Sequence, residues 1–154
     1  MAATPTTSTT PTRRHASRGA LVATLALAVC LLSSCLSPGQ AEVRDSMNAD
    51  RTALHLKALP TQADAQRKAQ AWAEKLAREN KLYHSNLLDG IKVKWCSIGE
   101  NVGYGRSATL VEEAYMKSPG HKANIVNPNW NGVGAGYATN GDRVFTVQVF
   151  IKTC

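Results

Sequence analysis

The stretch Ser107–His121, SATLVEEAYMKSPGH, decides how this 154-residue chain is read. Thr109 can cap a helix, and Glu112 three residues later can answer it as a capping box. Leu110, Val111, Ala114 and Tyr115 then recur at helical spacing, which predicts a short helix to about Lys117. Ser118 followed by Pro119 reads as a second start, because a serine oxygen can take free N–H groups and proline loses nothing at the first helical position. His121 is thereby placed in the first turn of a new helix. The partial positive charge there opposes protonation of an imidazole and keeps its nitrogens available as metal ligands or proton acceptors.

Downstream of this stretch, Val133, Ala135 and Tyr137 alternate with Gly132, Gly134 and Gly136, a strand whose bare face lets another backbone or ring lie against it. Asn140-Gly141 is predicted to be a two-residue hairpin turn returning into Phe145, Val147, Val149 and Ile151 on one face. Upstream, Gly99, Gly103 and Gly105 are spaced G-x-x-x-G-x-G in a glycine-rich turn, which is not the dinucleotide fingerprint. Before it, Ile91, Val93 and Trp95 alternate with Lys92 and Lys94 as a half-buried strand leading into Cys96. Gln62 to Asn80 is the clearest helix, with Ala65, Ala69, Trp72, Ala73 and Leu76 on one stripe and Trp72 as a core anchor. Val43, Met47, Leu54 and Ala58 predict an earlier helix that Pro60 stops. Helices, a strand, short helices and a strand hairpin, in that order, imply an α/β layered domain with an antiparallel sheet covered by helices.

The N-terminal part is of a different kind. Arg13, Arg14 and Arg18 precede an uncharged run from Ala20 to Leu32, within the length of a signal-peptide core and short for a membrane span. Leu32-Ser33-Ser34-Cys35 follows directly and resembles the lipobox of bacterial lipoproteins, in which the cysteine is lipidated and becomes the new N-terminus. The expected division is a signal peptide over 1–34, a tether over 35–42 and the domain over 43–154, with export to the outer face of the cytoplasmic membrane. Cleavage after Ala41, which would release a soluble protein, is the alternative. The formal charge of +7 falls to +4 without the leader, 15 basic residues against 11 acidic, and no basic run with interleaved aromatics supports a nucleic-acid partner. Cys96 and Cys154 remain in the domain, and two separated cysteines in an exported chain pair or stay as buried thiols. Pairing would close a loop of roughly 60 residues, for which chain entropy gives about 4 kcal/mol.

H-E-x-x-H, C-x-x-C and G-x-S-x-G are all absent. What remains is a looser set: His84 in a loop after the second helix, Glu100 in the glycine-rich segment and His121 at a helix start. Two imidazoles and a carboxylate can form a three-ligand site for zinc or another divalent metal with one position open. His55 has no partner in sequence and reads as a surface or packed residue.

Asn48-x-x-Arg51, Tyr83-His84-Ser85, Gly99-Glu100-Asn101-Val102, Ser118-Pro119-Gly120-His121-Lys122-x-Asn124-Ile125 and Gly132-Val133-Gly134 occur in the order seen in bacterial members of the CAP superfamily, whose domain is also called SCP. The resemblance spans about Val43 to Ile151. It implies a three-layer α-β-α sandwich with a cleft holding histidines and acidic residues, which fall here on His84, Glu100 and His121. Many eukaryotic members carry a second glutamate three residues beyond an aromatic on the third helix. Here the aromatic is Tyr115 and that position is Ser118, so the cleft loses a carboxylate. The resemblance implies a non-catalytic binder of a small apolar ligand, a metal or a cell-envelope component, Glu100 serving as a ligand or as the partner that orients a histidine. A metal-dependent hydrolase, with Glu100 or bound zinc activating water, is the competing expectation. A structural envelope protein held by one disulfide is a third.

Overall fold

The structure, a computed structural model, describes residues 1–2 and 35–154. The apolar run and Leu32–Ser34 lie outside the described residues, while Cys35 is described and its thiol is free and exposed. Helix α1 spans Pro38–Ala53, α2 Ala63–Glu79, strand β1 Trp95–Gly105, α3 Ala108–Lys117, α4 Pro119–Ile125, β2 Gly132–Asn140 and β3 Arg143–Thr153. The sheet is antiparallel with order β1-β3-β2.

Several local expectations are corrected. Helix α1 takes up residues 38–42, which composition marks as a tether, because Ser37 and Gln40 form a reciprocal capping box and Pro38 occupies the first turn. It ends at Ala53, well before Pro60. Asn48 holds both backbone groups of Leu59, and Arg51 donates to the Lys57 carbonyl, so the chain turns back through His55 in the left-handed region (φ 59°). Helix α3 is capped by Ser107, not Thr109, whose hydroxyl instead donates to Glu42. Glu112 is buried, one oxygen of its carboxyl group accepting from Gln148 rather than reaching back to a cap. Ser118 precedes α4 as expected but makes no side-chain cap. Ile91–Val93 is no strand, since the N–H groups of Lys92 and Val93 both donate to Asp64 at 2.8 Å. The glycine-rich segment is itself strand β1, and Gly103 lets Val111 and Tyr115 of α3 lie directly on it. In the β2–β3 hairpin Asn140 pairs with Arg143, so the turn residues are Gly141 and Asp142.

Central strand β3 organises both cores. Phe145, Val147, Val149 and Ile151 pack on Ala65, Ala69, Ala73 and Leu76 of α2, while Phe150 on the other face joins Met47, Val111, Tyr115, Ile125 and Trp130. The result is a three-layer α-β-α sandwich, with α2 on one side and α1, α3 and α4 on the other. Gly134 and Gly136 meet α2 so closely that a Cβ on either would lie 2.1 Å from the backbone of Ala65 or Ala69. The disulfide Cys96–Cys154 is formed and fastens the C-terminus to the start of β1.

The outer edge of β2 is closed residue by residue. Gln66 exchanges two hydrogen bonds with the backbone of Ala135, Gln70 does the same with Tyr137, and Val133 bonds to Pro60 and Gln62. An exposed strand edge is a template for unwanted pairing, and here α2 supplies glutamine amides as a substitute strand.

Candidate functional site

Glu100 projects from β1 with its side chain 1% exposed. A carboxylate only accepts, so its Oε1 takes the Nδ1–H of His84 at 2.8 Å and the backbone N–H of Ser85 at 2.9 Å. That fixes the tautomer of His84 and leaves Nε2 with its lone pair for a ligand. Oε2 of Glu100 is buried without a hydrogen-bond partner.

The His84 loop is held from α2. Lys68 donates from Nζ to the carbonyls of Asn86 and Asp89 at 2.7 and 3.0 Å. Burial lowers the Lys68 pKa, opposed by the negative charges of Glu100 and Asp89. Trp72 packs edge-on against Tyr83 and donates Nε1–H to its carbonyl at 2.9 Å, while Lys75 lies over the Trp72 ring. Trp72 is thus half-buried and clamps the loop as much as it anchors the core.

His121 stands in the first turn of α4, with Nδ1 2.9 Å from Ser118 Oγ and its ring against Tyr115. The position where the resemblance implies a second glutamate therefore supplies the hydroxyl that orients His121. Burial lowers the His121 pKa, and the nearby charge of His84 lowers it further. One imidazole is thus held by a carboxylate and the other by a hydroxyl, near enough for the charge of one to act on the other.

Behind them runs a polar network. Asn101 donates to the His121 carbonyl at 3.1 Å and to Gln148 Oε1 at 3.0 Å, and Asn124 donates to Asn101 Oδ1 at 2.9 Å and to the Glu100 carbonyl at 3.3 Å. Sequence reading assigned no role to Asn101, Asn124, Gln148 or Lys68. A glutamine inside the apolar run of β3 was the available signal; nothing along the chain marked Lys68. Among the described residues, no group of three or more His, Cys, Asp and Glu side chains is arranged to hold a metal ion. The arrangement offers two imidazole nitrogens with Glu100 as an orienting partner rather than a third ligand. Beside His121 opens a groove of about 220 Å³ walled by Leu82, Tyr104, Val111, Ala114 and Tyr115. His55 is exposed and takes no part.

An antiparallel sheet sandwiched by helices, carrying a histidine–glutamate pair on β1 and the preceding loop and a second histidine on α4, defines an SCP-type domain. Residues 44–151 match the CAP family, described as the cysteine-rich secretory protein family, and the chain belongs to it. Uncharacterized protein YkwD of Bacillus subtilis is 27% identical over 128 residues, covering 77% of this chain and 49% of the relative. The chain thus spans about half the length of that curated relative. An outer surface protein from Borrelia burgdorferi superposes with a TM-score of 0.63 at 20% identity, covering 73% of this chain and 90% of that one. An extracellular protein containing a SCP domain from Bacillus anthracis gives 0.65 at 21%, covering 77% and 45%.

Proposed function

We propose that this chain is an exported CAP domain, anchored to a membrane through lipidated Cys35, whose cleft binds a divalent metal at His84 and His121 and takes a small apolar group in the adjoining groove without catalysing a reaction. The observation that carries this reading is the buried Glu100 carboxylate bound to His84 Nδ1, the device by which proteins present the other imidazole nitrogen to a metal. Zinc suits two imidazoles best and would supply a Lewis-acid centre there. The Glu100 carboxylate, with its Oε2 buried and unpartnered, keeps a negative charge beside the His84 ring, which favours a cation on that imidazole. With Oε1 engaged by two N–H groups and Oε2 buried, Glu100 is poorly placed to take a proton from a water, which argues against hydrolysis. Exposed Cys35 and the apolar run before it support export and anchoring, as do relatives named as outer-surface and extracellular proteins.

Zinc titration by calorimetry tests the site. We expect binding that weakens at least tenfold in His84→Ala and in His121→Ala, and about 10- to 100-fold in Glu100→Gln. Affinity should fall as pH falls and His121 gains a proton, which it does at a lower pH than an ordinary histidine because burial lowers its pKa. Zinc binding that is absent, or unchanged in both histidine variants, would refute the assignment. For the anchor, Cys35→Ser is expected to move the protein from the membrane to the soluble fraction, and unaltered partitioning would contradict it.

A further inference from the structure

Helices α1 and α3 pack against each other, and between them opens a pocket of about 490 Å³ whose wall includes Ser46, Asp50, Glu112, Glu113 and Met116. His84, Glu100 and His121 take no part in it. Glu112 is 5% exposed; one of its oxygens accepts from Gln148, while Oε1 is closed off from water and has no hydrogen-bond partner. A buried carboxyl oxygen is ordinarily satisfied, so Oε1 lacks a donor that the fold itself does not supply.

Asp50, half-buried on α1, adds a second acid to the same wall. Among the described residues no lysine, arginine or histidine lies within ion-pair distance of Asp50 or Glu112. Glu113 and Lys117, also on the wall, pair with each other at 3.7 Å and so cancel. The pocket thus holds two acids with no cation to answer them, beside apolar surface from Ala49 and Met116. Two carboxylates fall short of the ligand count a metal ion takes, and no group of three or more His, Cys, Asp and Glu side chains is arranged for one among the described residues. An ammonium group on a short carbon chain fits better: its N–H groups only donate, carboxylates only accept, and its methylenes can lie on the apolar wall.

We propose that the pocket between α1 and α3 is a second binding site, for a small organic cation that sets its ammonium group against Asp50 and beside Glu112 and its carbon chain along Ala49 and Met116. The positive charge favours the ionised form of Glu112, so binding drives the Glu112 proton off to solvent. Burial, with the charge of Asp50 adding to it and Gln148 opposing it, raises the Glu112 pKa to about 8, which leaves the carboxyl protonated at pH 7 until the ligand arrives. Asp50 from α1 and Gln148 from β3 are the charged and polar groups acting on Glu112 from the elements packed against it. This inference needs neither a metal nor lipidation, so it stands apart from the reading of the cleft.

The probe is hexylammonium, titrated by calorimetry into the protein in EDTA, so that failure here is separate from failure of the metal reading. Hexanol and hexanoate carry the same chain without the positive charge. Hexylammonium is expected to bind at least tenfold more tightly than hexanol, with no binding of hexanoate, and equal affinity for the alcohol or the acid would overturn the proposal by making the pocket a plain apolar one. Asp50→Asn and Glu112→Gln should each weaken binding at least fivefold, while Asp142→Asn on the exposed β2–β3 turn should not. Losses that are the same in all three variants, or absent from all three, would refute the assignment. At pH 7 the binding enthalpy in phosphate and in Tris should differ by the release of most of a proton in the parent and be the same in Glu112→Gln, a readout that a merely structural role for Glu112 would not move. An enthalpy independent of buffer in the parent would overturn the proposal. Nα-acetyl-lysine methylamide presents the same ammonium head on a peptide unit, and its binding more tightly than hexylammonium would give the pocket to a lysine of another chain instead of a small molecule.

Discussion

Glu112→Gln is expected to leave stability near that of the parent at pH 5 and to raise it at pH 9 by on the order of 4 kcal/mol. Glu112 is 5% exposed, one oxygen accepts from Gln148 and the other has no partner. Burial, with the charge of Asp50 on α1 adding to it and Gln148 opposing it, pushes its pKa from 4.5 up to about 8. The folded chain therefore holds this proton more tightly than the unfolded one. Stability from it is complete below the ordinary carboxyl value and is lost as pH rises towards about 8, where a buried charge must form. A neutral amide of the same shape has no proton to lose. Urea unfolding of both proteins at pH 5, 7 and 9 checks this, and an identical pH dependence for the two would show that the carboxyl ionises freely.

Gly134→Ala is expected to cost about 3 kcal/mol or more, among the larger effects of a single methyl group. The added Cβ would sit 2.1 Å from both the carbonyl carbon and oxygen of Ala65 and 2.4 Å from the Gln66 nitrogen. Those are backbone atoms of a helix, with no flexible side chain able to yield. Relief requires β2 to move away from α2, which would also break the Gln66 and Gln70 bonds that close the sheet edge. Gly120→Ala is the control, since nothing lies within 4 Å of the position. If the two variants unfold at the same urea concentration, the tight contact between α2 and β2 is not as described.

The elements legible in the sequence were those whose own side chains carry the pattern. The alanine stripe of α2 and the glycine face of β2 are complementary surfaces, each readable by itself, and their contact follows from shape. Short, polar or glycine-rich pieces were read less well. Strand β1 looks like a turn because its glycines serve neighbouring helices rather than its own conformation, and α1 is ended by Asn48 and Arg51 reaching a returning segment rather than by Pro60. Residues His84, Glu100 and His121 could be named from motifs and residue chemistry, while the roles within the cleft could not.

Amino-acid order by itself determined the α/β class, the helix with the alanine face, the hairpin, the pairing partners available to Cys96 and Cys154, and the residue types that could serve a cleft, because each depends on neighbours a few positions away or on counting. Tertiary structure alone decided that Glu100 orients His84, that Ser118 takes the place beside His121, that Lys68 and Trp72 hold the loop, and that glutamines of α2 close the outer edge of β2. These depend on hydrogen bonds between groups 3 to 69 positions apart, whose direction exists only once β3 has brought the two outer strands and the flanking helices together.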